Sequence, residues 1–98
     1  MGKVIFTISY EIHPEKRDEY LALTKEMKQL LAQKKCKGYS IYEQKGKKNS
    51  FSEIFVCESL DEYEQLEDQD EETNQLVQRL EPLLSNGKMK YTTLVELE

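Results

Sequence analysis

The sequence lacks tryptophan altogether and contains one histidine and two cysteines among its 98 residues. The cysteines, Cys36 and Cys57, do not have the spacing of a metal-ligand pair. In a reducing compartment we expect two thiols, with a structural disulfide as the alternative. The acidic stretch 58–72 also lacks the central glycine and the regularly placed oxygens of a calcium loop. No metal site is therefore predicted.

Long apolar runs and surplus positive charge are absent as well. No run approaches the ~20 apolar residues that span a bilayer. The N-terminus has no signal-peptide block, and Phe6 stands where a myristoylation motif requires Ser or Thr. The net charge of −5 argues against nucleic acid and anionic membranes as partners. We therefore expect a cytoplasmic protein that binds neither nucleic acid nor membrane.

Hydrophobic periodicity predicts the order strand, helix, strand, strand, helix, strand within one domain, residues 1–98. Apolar residues alternate with a period of two in the strands, and they recur every three or four residues in the helices. The strands are predicted at Val4–Ile12, Tyr39–Gln44, Phe51–Glu58 and Met89–Leu97, and the helices at Pro14 to about Lys34 and Ser59 to Asn86, with a break near Asp68. This order predicts a ferredoxin-like α+β fold, with a four-stranded antiparallel sheet and both helices on one face.

Four local signals mark the ends of the helices. Pro14 suits the first helical position, and Gly38 is a plausible stop for the first helix. Ser59 and Glu62 have the spacing of a capping box, in which each side chain accepts a backbone N–H at the other's position. Pro82 cannot donate a helical hydrogen bond, so the last turn of the second helix should be distorted.

The predicted sheet carries apolar residues on both faces. Whichever face meets the helices, the other retains a set such as Ile5, Ile54, Val56 and Leu94. A chain this short buries only about two-thirds of its unfolded surface, and 34% of its residues are charged. We therefore expect a homodimer in which the two sheets pack against each other.

The chain resembles the antibiotic-biosynthesis-monooxygenase-like branch of the dimeric α/β-barrel superfamily. The resemblance lies in Ile12-His13-Pro14-Glu15 after the first strand, in Gly38-Tyr39 before the second, and in a third strand that runs directly into a helix with Tyr63 and Leu66. A strand that contains Tyr91 closes the chain. The resemblance implies a barrel of two protomers, each with a cavity between its sheet and its helices.

The family's catalytic residues are absent from this sequence. Catalytic members commonly use an Asn on the first strand, a Trp on the third and a His on the following helix. No Trp is present, and Leu66 stands near the position of the His. The resemblance therefore implies no haem ligand, and any activity is expected to need no tightly bound cofactor.

Glu53 is the candidate catalytic residue. It lies mid-strand on the face of Phe51, Phe55 and Cys57, so it becomes a carboxylate in an apolar cavity if that face meets the helices. Burial would raise its pKa and make it a general base. The alternative is a partly exposed edge glutamate that pairs with a lysine or a tyrosine hydroxyl.

The candidate ligand contacts carry hydroxyl, aromatic or apolar side chains, with Thr7 and Ser9 on the more polar face of the first strand: Thr7, Ser9, Tyr10, Tyr42, Phe55, Cys57, Tyr63 and Leu66. Each also has a structural interpretation, as a strand residue, a core residue or an interface tyrosine. Two functions follow. One is a monooxygenase-like enzyme that acts on a small hydrophobic or aromatic molecule with Glu53 as base. The other is a non-catalytic dimeric module that binds a ligand or a partner.

Overall fold

The computed structural model describes residues 2–32, 38–67 and 71–97. Its elements are β1 (Val4–Glu11), α1 (Arg17–Leu30), β2 (Ser40–Glu43), β3 (Ser50–Cys57), α2 (Leu60–Glu67), α3 (Glu71–Leu80) and β4 (Lys90–Val95), with short 3-10 turns at Pro14–Lys16 and Glu81–Leu83. No helix within these ranges is long and apolar enough to cross a bilayer. Three predicted features lie outside the described residues: the end of the first helix near Lys34, Cys36, and the break near Asp68.

The four strands form one antiparallel sheet in the order β2-β3-β1-β4. In the centre of the sheet Phe6 pairs with Phe55 on β3 and with Thr93 on β4. This is the ferredoxin-like arrangement, so the predicted α+β fold is confirmed. The order also places β3 inside the sheet, and the alternative position of Glu53 on an edge strand is therefore wrong.

The core lies between one face of the sheet and the helices. Side chains at spacings of three and four on α1 and α3 turn toward the inward positions of β1 and β3, which alternate along each strand. The buried core includes Tyr10, Tyr20, Leu23, Met27, Tyr39, Phe51, Phe55, Leu76, Leu80 and Leu83. Among the residues that the structure describes, the helices lie on this face of the sheet only.

The proline signals are confirmed at both predicted positions. Pro14 lies in the first turn of the 3-10 segment Pro14–Lys16, where the N–H of Lys16 donates to the carbonyl of His13 at 2.9 Å. The regular helix α1 then begins at Arg17. Pro82 lies in the second 3-10 turn, which ends α3 at Leu80. A proline that cannot donate breaks the helical ladder here, as expected.

The capping box before α2 is confirmed in one half and wrong in the other. The N–H of Glu62 donates to the Ser59 hydroxyl oxygen at 3.2 Å, as predicted. The Glu62 carboxylate accepts the N–H of Glu58 at 3.4 Å rather than that of Ser59. The Glu62 side chain therefore reaches one residue further back than predicted, to Glu58, the residue that follows β3.

Gly38 is needed for a close contact between two backbone segments. A Cβ atom added at Gly38 would lie 2.7 Å from the carbonyl oxygen and 2.9 Å from the Cβ of Val56. The Gly38 carbonyl also accepts the N–H of Val56 at 3.3 Å. The contact extends the β2–β3 pairing by two positions and fixes where Tyr39 lies beside β3.

A charged cluster ties the start of α1 to the β2–β3 hairpin. The guanidinium of Arg17 donates to both carboxylate oxygens of Glu43, at 2.7 and 2.9 Å, and to the Asn49 side chain at 3.0 Å. The N–H of Asn49 donates to Glu43 at 2.9 Å. These bonds lower the pKa of Glu43 to about 2, and the bond from Arg17 makes the largest contribution.

The depressed pKa predicts a pH-dependent contribution of Glu43 to stability. An unfolded glutamate titrates near ~4.3, so the contribution is fully present above that pH and is lost as the pH falls through about 2. We expect Glu43→Gln to lower the urea midpoint at pH 6 and to have a much smaller effect near pH 2. Glu64→Gln, an exposed change on α2, is the control. A Glu43→Gln deficit that is the same at both pH values would contradict this assignment.

Candidate functional site

A cavity of about 410 Å³ lies between the helix-facing side of the sheet and the helices. Its size falls in the ordinary range of small-molecule sites. The walls are mostly aliphatic and aromatic, and the lining side chains come from all three helices and from three of the four strands. They are Phe6, Ile8, Met27, Leu31, Glu53, Phe55, Tyr63, Leu66, Thr73, Leu76, Val77, Leu80, Met89, Tyr91 and Thr93.

Glu53 is the one charged side chain among the described residues that line this cavity. It lies on the central strand β3, and only 3% of its surface is exposed. Burial raises the pKa of its carboxyl group above the ordinary value, and hydrogen bonds from tyrosine hydroxyls oppose part of that rise. A carboxyl group with a raised pKa can accept a proton near neutral pH.

Three tyrosines lie around the Glu53 carboxylate: Tyr10 on β1, Tyr20 on α1 and Tyr39 directly before β2. The Tyr39 hydroxyl donates to Glu53 Oε1 at 2.8 Å. Tyr10, on β1, also hydrogen-bonds Glu53, and its hydroxyl is 2.8 Å from that of Tyr20 on α1. Burial, followed by the proximity of Glu53, raises the pKa of both Tyr10 and Tyr39. The tyrosines therefore remain protonated and can donate hydrogen bonds to an ionised carboxylate.

One wall of the cavity is an aromatic cluster centred on Phe6. The Phe6 ring lies 5.7 Å from Phe55, 5.8 Å from Tyr63 and 6.1 Å from Tyr91, with the Tyr91 ring nearly parallel. The hydroxyls of Tyr63 and Thr93 are 3.1 Å apart and join α2 to β4. Tyr91 is 60% exposed, so this wall reaches the surface. Flat rings would stack favourably here.

The structure separates the predicted site residues into three groups. Glu53, Phe55, Tyr63 and Leu66 line the cavity. Tyr10 and Cys57 are buried on the same side of the sheet but lie outside the cavity wall. The remaining three, Thr7, Ser9 and Tyr42, lie on the opposite face.

The placement of Thr7, Ser9 and Tyr42 together with Glu53 in one cavity is wrong. Thr7 pairs with Ile54, and both Ser9 and Tyr42 pair with Ser52, all on the face turned away from the helices. The Ser9 and Ser52 hydroxyls are 2.9 Å apart, and Tyr42 is 57% exposed. Successive strand side chains point to opposite faces, so these hydroxyls cannot reach a ligand beside Glu53.

Most of the cavity wall was absent from the predicted set. Most of the missing residues lie on the helix-facing side of β1 and β4 or on the inner stripe of α1 and α3, and the full set is Phe6, Ile8, Met27, Leu31, Thr73, Leu76, Val77, Leu80, Met89, Tyr91 and Thr93. Ile8 pairs with Glu53 and Phe6 pairs with Phe55. The pairing of β1 with β3, together with alternation along each strand, would therefore have identified Phe6 and Ile8. The pairing of β1 with β4, which brings in Tyr91 and Thr93, has no comparably local signal.

The chemistry of the lining favours an uncharged organic ligand. Within residues 2–32, 38–67 and 71–97, no three His, Cys, Asp or Glu side chains lie close enough to hold a metal ion. At the packing density of an organic liquid the cavity would hold a molecule of roughly 200–250 Å³, the size of two or three fused rings. One proton acceptor, Glu53, and a few hydroxyls supply the polar contacts.

Known structures share this fold across almost the whole chain. A candidate antibiotic biosynthesis monooxygenase from Caulobacter crescentus has a TM-score of 0.85 and 13% identity, over 99% of this chain and 92% of its own. A conserved protein from Methanosarcina mazei has a TM-score of 0.79 and 16% identity, over 96% and 92%. A variant of SnoaB, a cofactor-independent oxygenase from Streptomyces nogalater, has a TM-score of 0.75 and 15% identity, over 98% and 94%.

Sequence comparison adds no closer relative. No protein-family model matches the sequence, and no curated protein matches it either. At identities of 13–16% the structural likeness extends to the fold alone. The chain therefore has an antibiotic-biosynthesis-monooxygenase-like fold, as the sequence resemblance predicts.

Proposed function

We propose that this chain is a homodimeric, cytoplasmic, monooxygenase-like enzyme that oxidises a small, flat, hydrophobic or aromatic molecule without a tightly bound cofactor. The observation that carries the proposal is the apolar cavity of about 410 Å³ with the buried carboxyl group of Glu53 in its wall. Similarity in fold to SnoaB, a cofactor-independent oxygenase, supports the same reaction class.

The proposed reaction begins when Glu53 takes a proton from an acidic carbon or phenol of the bound molecule. In a reaction without cofactor the substrate itself must supply all the electrons that reduce O₂. Anthrone, a flat molecule of three fused rings, meets this condition. Its CH₂ group and O₂ give a carbonyl group and one molecule of water, so one oxygen atom enters the product and the other leaves as water.

The shape and polarity of the cavity support the proposed roles. The rings of Phe6, Phe55 and Tyr91 offer parallel and edge contacts to a flat ligand. Glu53 is buried, so a proton transferred to it leaves a neutral acid in an apolar site, which is the form that burial favours. The aromatic wall would then hold the electron-rich anion of the substrate away from bulk water.

A non-catalytic ligand-binding module is the second candidate. The observation that favours it is the placement of the one histidine of the sequence, His13. It lies before α1, 3.8 Å from Glu15 at the surface, and does not line the cavity. Glu53 would then be a hydrogen-bond acceptor that orients a ligand, without transferring a proton.

Homodimerisation through the outer face of the sheet completes the proposal. That face carries Ile5 between Val56 and Leu94 on three adjacent strands. Leu94 is 55% exposed in the single chain. Ile54 lies on the same face, opposite Thr7, and an apolar patch of this kind favours cover by another sheet.

Ligand charge provides the first test of the cavity. We expect anthrone to bind with a micromolar Kd and anthracene carboxylate, which has a similar ring system, to bind at least ~10-fold more weakly. The carboxylate must lose its hydration in an apolar site whose one charged group is Glu53. Because the protein lacks tryptophan, ring fluorescence of the ligand can be titrated without tryptophan background. Tighter binding of the carboxylate would contradict the proposed site.

A further inference from the structure

We propose that Tyr39 is a positioning residue for Glu53, and that its hydroxyl fixes the orientation of the carboxylate and stabilises its ionised form. The inference rests on the proposed function of Glu53 and adds a residue that the reaction needs. Tyr39 does not line the cavity, so it acts through Glu53 rather than on the substrate.

The strand register places Tyr39 beside Glu53. Ser40 pairs with Ile54 and Ile41 pairs with Glu53. The bond from the Val56 N–H to the Gly38 carbonyl continues this ladder, so Tyr39 lies opposite Phe55 and diagonally across from Glu53. Diagonal neighbours on one face are within reach of a long side chain, and the hydroxyl of Tyr39 meets Oε1 at 2.8 Å.

Two contacts hold the Tyr39 ring in this position. Its centroid lies 4.7 Å from that of Phe55, at an interplanar angle of 47°. The close approach of Gly38 to Val56 fixes the backbone one residue earlier. The tyrosine is 6% exposed, so water does not compete for its hydroxyl. The donor is therefore already in place before any ligand enters.

The other groups around Glu53 are titratable tyrosines and uncharged side chains. Tyr10 comes from β1 and Tyr20 from α1, and their hydroxyls bond to each other. The Tyr10 hydroxyl also hydrogen-bonds the Glu53 carboxylate and, like that of Tyr39, stabilises its ionised form. The helices α2 and α3 and the strand β4 contribute Tyr63, Leu66, Thr73, Leu76, Val77, Leu80, Tyr91 and Thr93 to the shared cavity. The Tyr39 hydroxyl donates directly to Oε1. Its removal in Tyr39→Phe should therefore raise the pKa of Glu53, and the substitution leaves the net charge of the site unchanged.

The test is a titration of Glu53 in the unliganded protein. Carboxyl carbons are followed by ¹³C NMR in the wild type, in Tyr39→Phe and in the control Tyr42→Phe, and the Glu53 signal is assigned from Glu53→Gln. Loss of a hydrogen bond to the ionised form should move the Glu53 midpoint upward by about one to two pH units in Tyr39→Phe. Tyr42 is exposed on the opposite face, so Tyr42→Phe should leave the Glu53 midpoint unchanged.

The pH profile of anthrone oxidation gives a second, catalytic readout. In Tyr39→Phe its acidic limb should move upward by the same amount as the NMR midpoint. A folded Tyr39→Phe protein in which Glu53 titrates at the wild-type pH would overturn the inference. A wild type that does not oxidise anthrone would instead count against the proposed function, and the NMR midpoints would still decide whether Tyr39 positions Glu53.

Discussion

Glu53→Gln should reduce the rate of anthrone oxidation by roughly 10²–10⁴-fold, the range expected for loss of a general base. Glutamine has nearly the same shape, and its carbonyl oxygen can still accept the Tyr39 hydroxyl, which lies 2.8 Å from Oε1 in the wild type. It cannot, however, take a proton from the substrate. The measurement is the initial rate of O₂ consumption together with the appearance of anthraquinone. Anthrone affinity should change by less than ~10-fold, because the aromatic wall is untouched.

Stability should not account for the lost activity of Glu53→Gln. Burial raises the pKa of Glu53 in the folded protein, so folding takes up a proton between the unfolded value of ~4.3 and the folded value. The wild-type carboxyl group therefore contributes less to stability as the pH rises through this range, and glutamine does not titrate. We expect a urea midpoint in Glu53→Gln at pH 8 that equals or exceeds that of the wild type.

The matched control for Glu53→Gln is Glu58→Gln. Glu58 is an exposed residue just beyond the end of β3 and does not line the cavity, so its substitution should leave the rate of anthrone oxidation unchanged. If Glu53→Gln oxidises anthrone at the wild-type rate, Glu53 is not the base. The non-catalytic module would gain support if anthrone binds to the wild type and is not oxidised.

Ile5→Lys should convert a dimeric wild type into a monomer at micromolar concentration. Ile5 lies on the outer face of the inner strand β1, between Val56 and Leu94, so a lysine there would be buried in the proposed interface without a partner. An unpaired buried charge weakens association by about 2–5 kcal/mol. The dissociation constant should therefore rise by roughly 30-fold to several-thousandfold. Sedimentation velocity measures the change.

The control for Ile5→Lys introduces the same charge on the opposite side of the molecule. Leu21 is an exposed apolar residue of α1, on the helical layer that lies across the sheet from Ile5. Leu21→Lys should remain dimeric. A wild-type protein that sediments as a monomer at micromolar concentration would contradict the sheet-to-sheet dimer, and so would an Ile5→Lys protein that remains a dimer.

The residues that share a face with Glu53 could be predicted from the sequence because alternation along one strand is a local property. Phe51, Phe55 and Cys57 have its parity, but the opposite face is apolar as well, so the sequence left open which face meets the helices. The structure buries the face of Glu53. The same reasoning placed Tyr63 and Leu66 on one side of a helix, since their spacing of three residues is local too. Both placements agree with the cavity wall.

Thr7, Ser9 and Tyr42 were assigned to the ligand site without a strand register that relates them to Glu53. Phe6 and Ile8 line the cavity, and Thr7 and Ser9 alternate with them along β1. Once the helix-facing side of β1 is known, alternation alone therefore excludes Thr7 and Ser9 from the cavity. Both faces of β1 are rich in β-branched residues, and parity could not decide which one meets the helices. The register that pairs Thr7 with Ile54 decides it.

The hydrogen bond between Tyr39 and Glu53 depends on a register that no single segment specifies. It requires β2 to pair beside β3 with Ile41 opposite Glu53, and this offset is set by the length and turn geometry of the hairpin loop. Within that loop Gly46 and Asn49 adopt positive φ values of 85° and 69°. The predicted strands, which end at Gln44 and begin again at Phe51, locate the loop but do not fix the offset of the pairing.

A crystal structure of the protein with bound anthrone tests the central claim most directly. The proposed function predicts one ligand per chain inside the cavity, with its rings against Phe6 and Phe55 and its CH₂ carbon about 3–3.5 Å from a carboxylate oxygen of Glu53, a distance suited to proton transfer. An empty cavity at saturating anthrone, or a ligand bound elsewhere on the molecule, would contradict it.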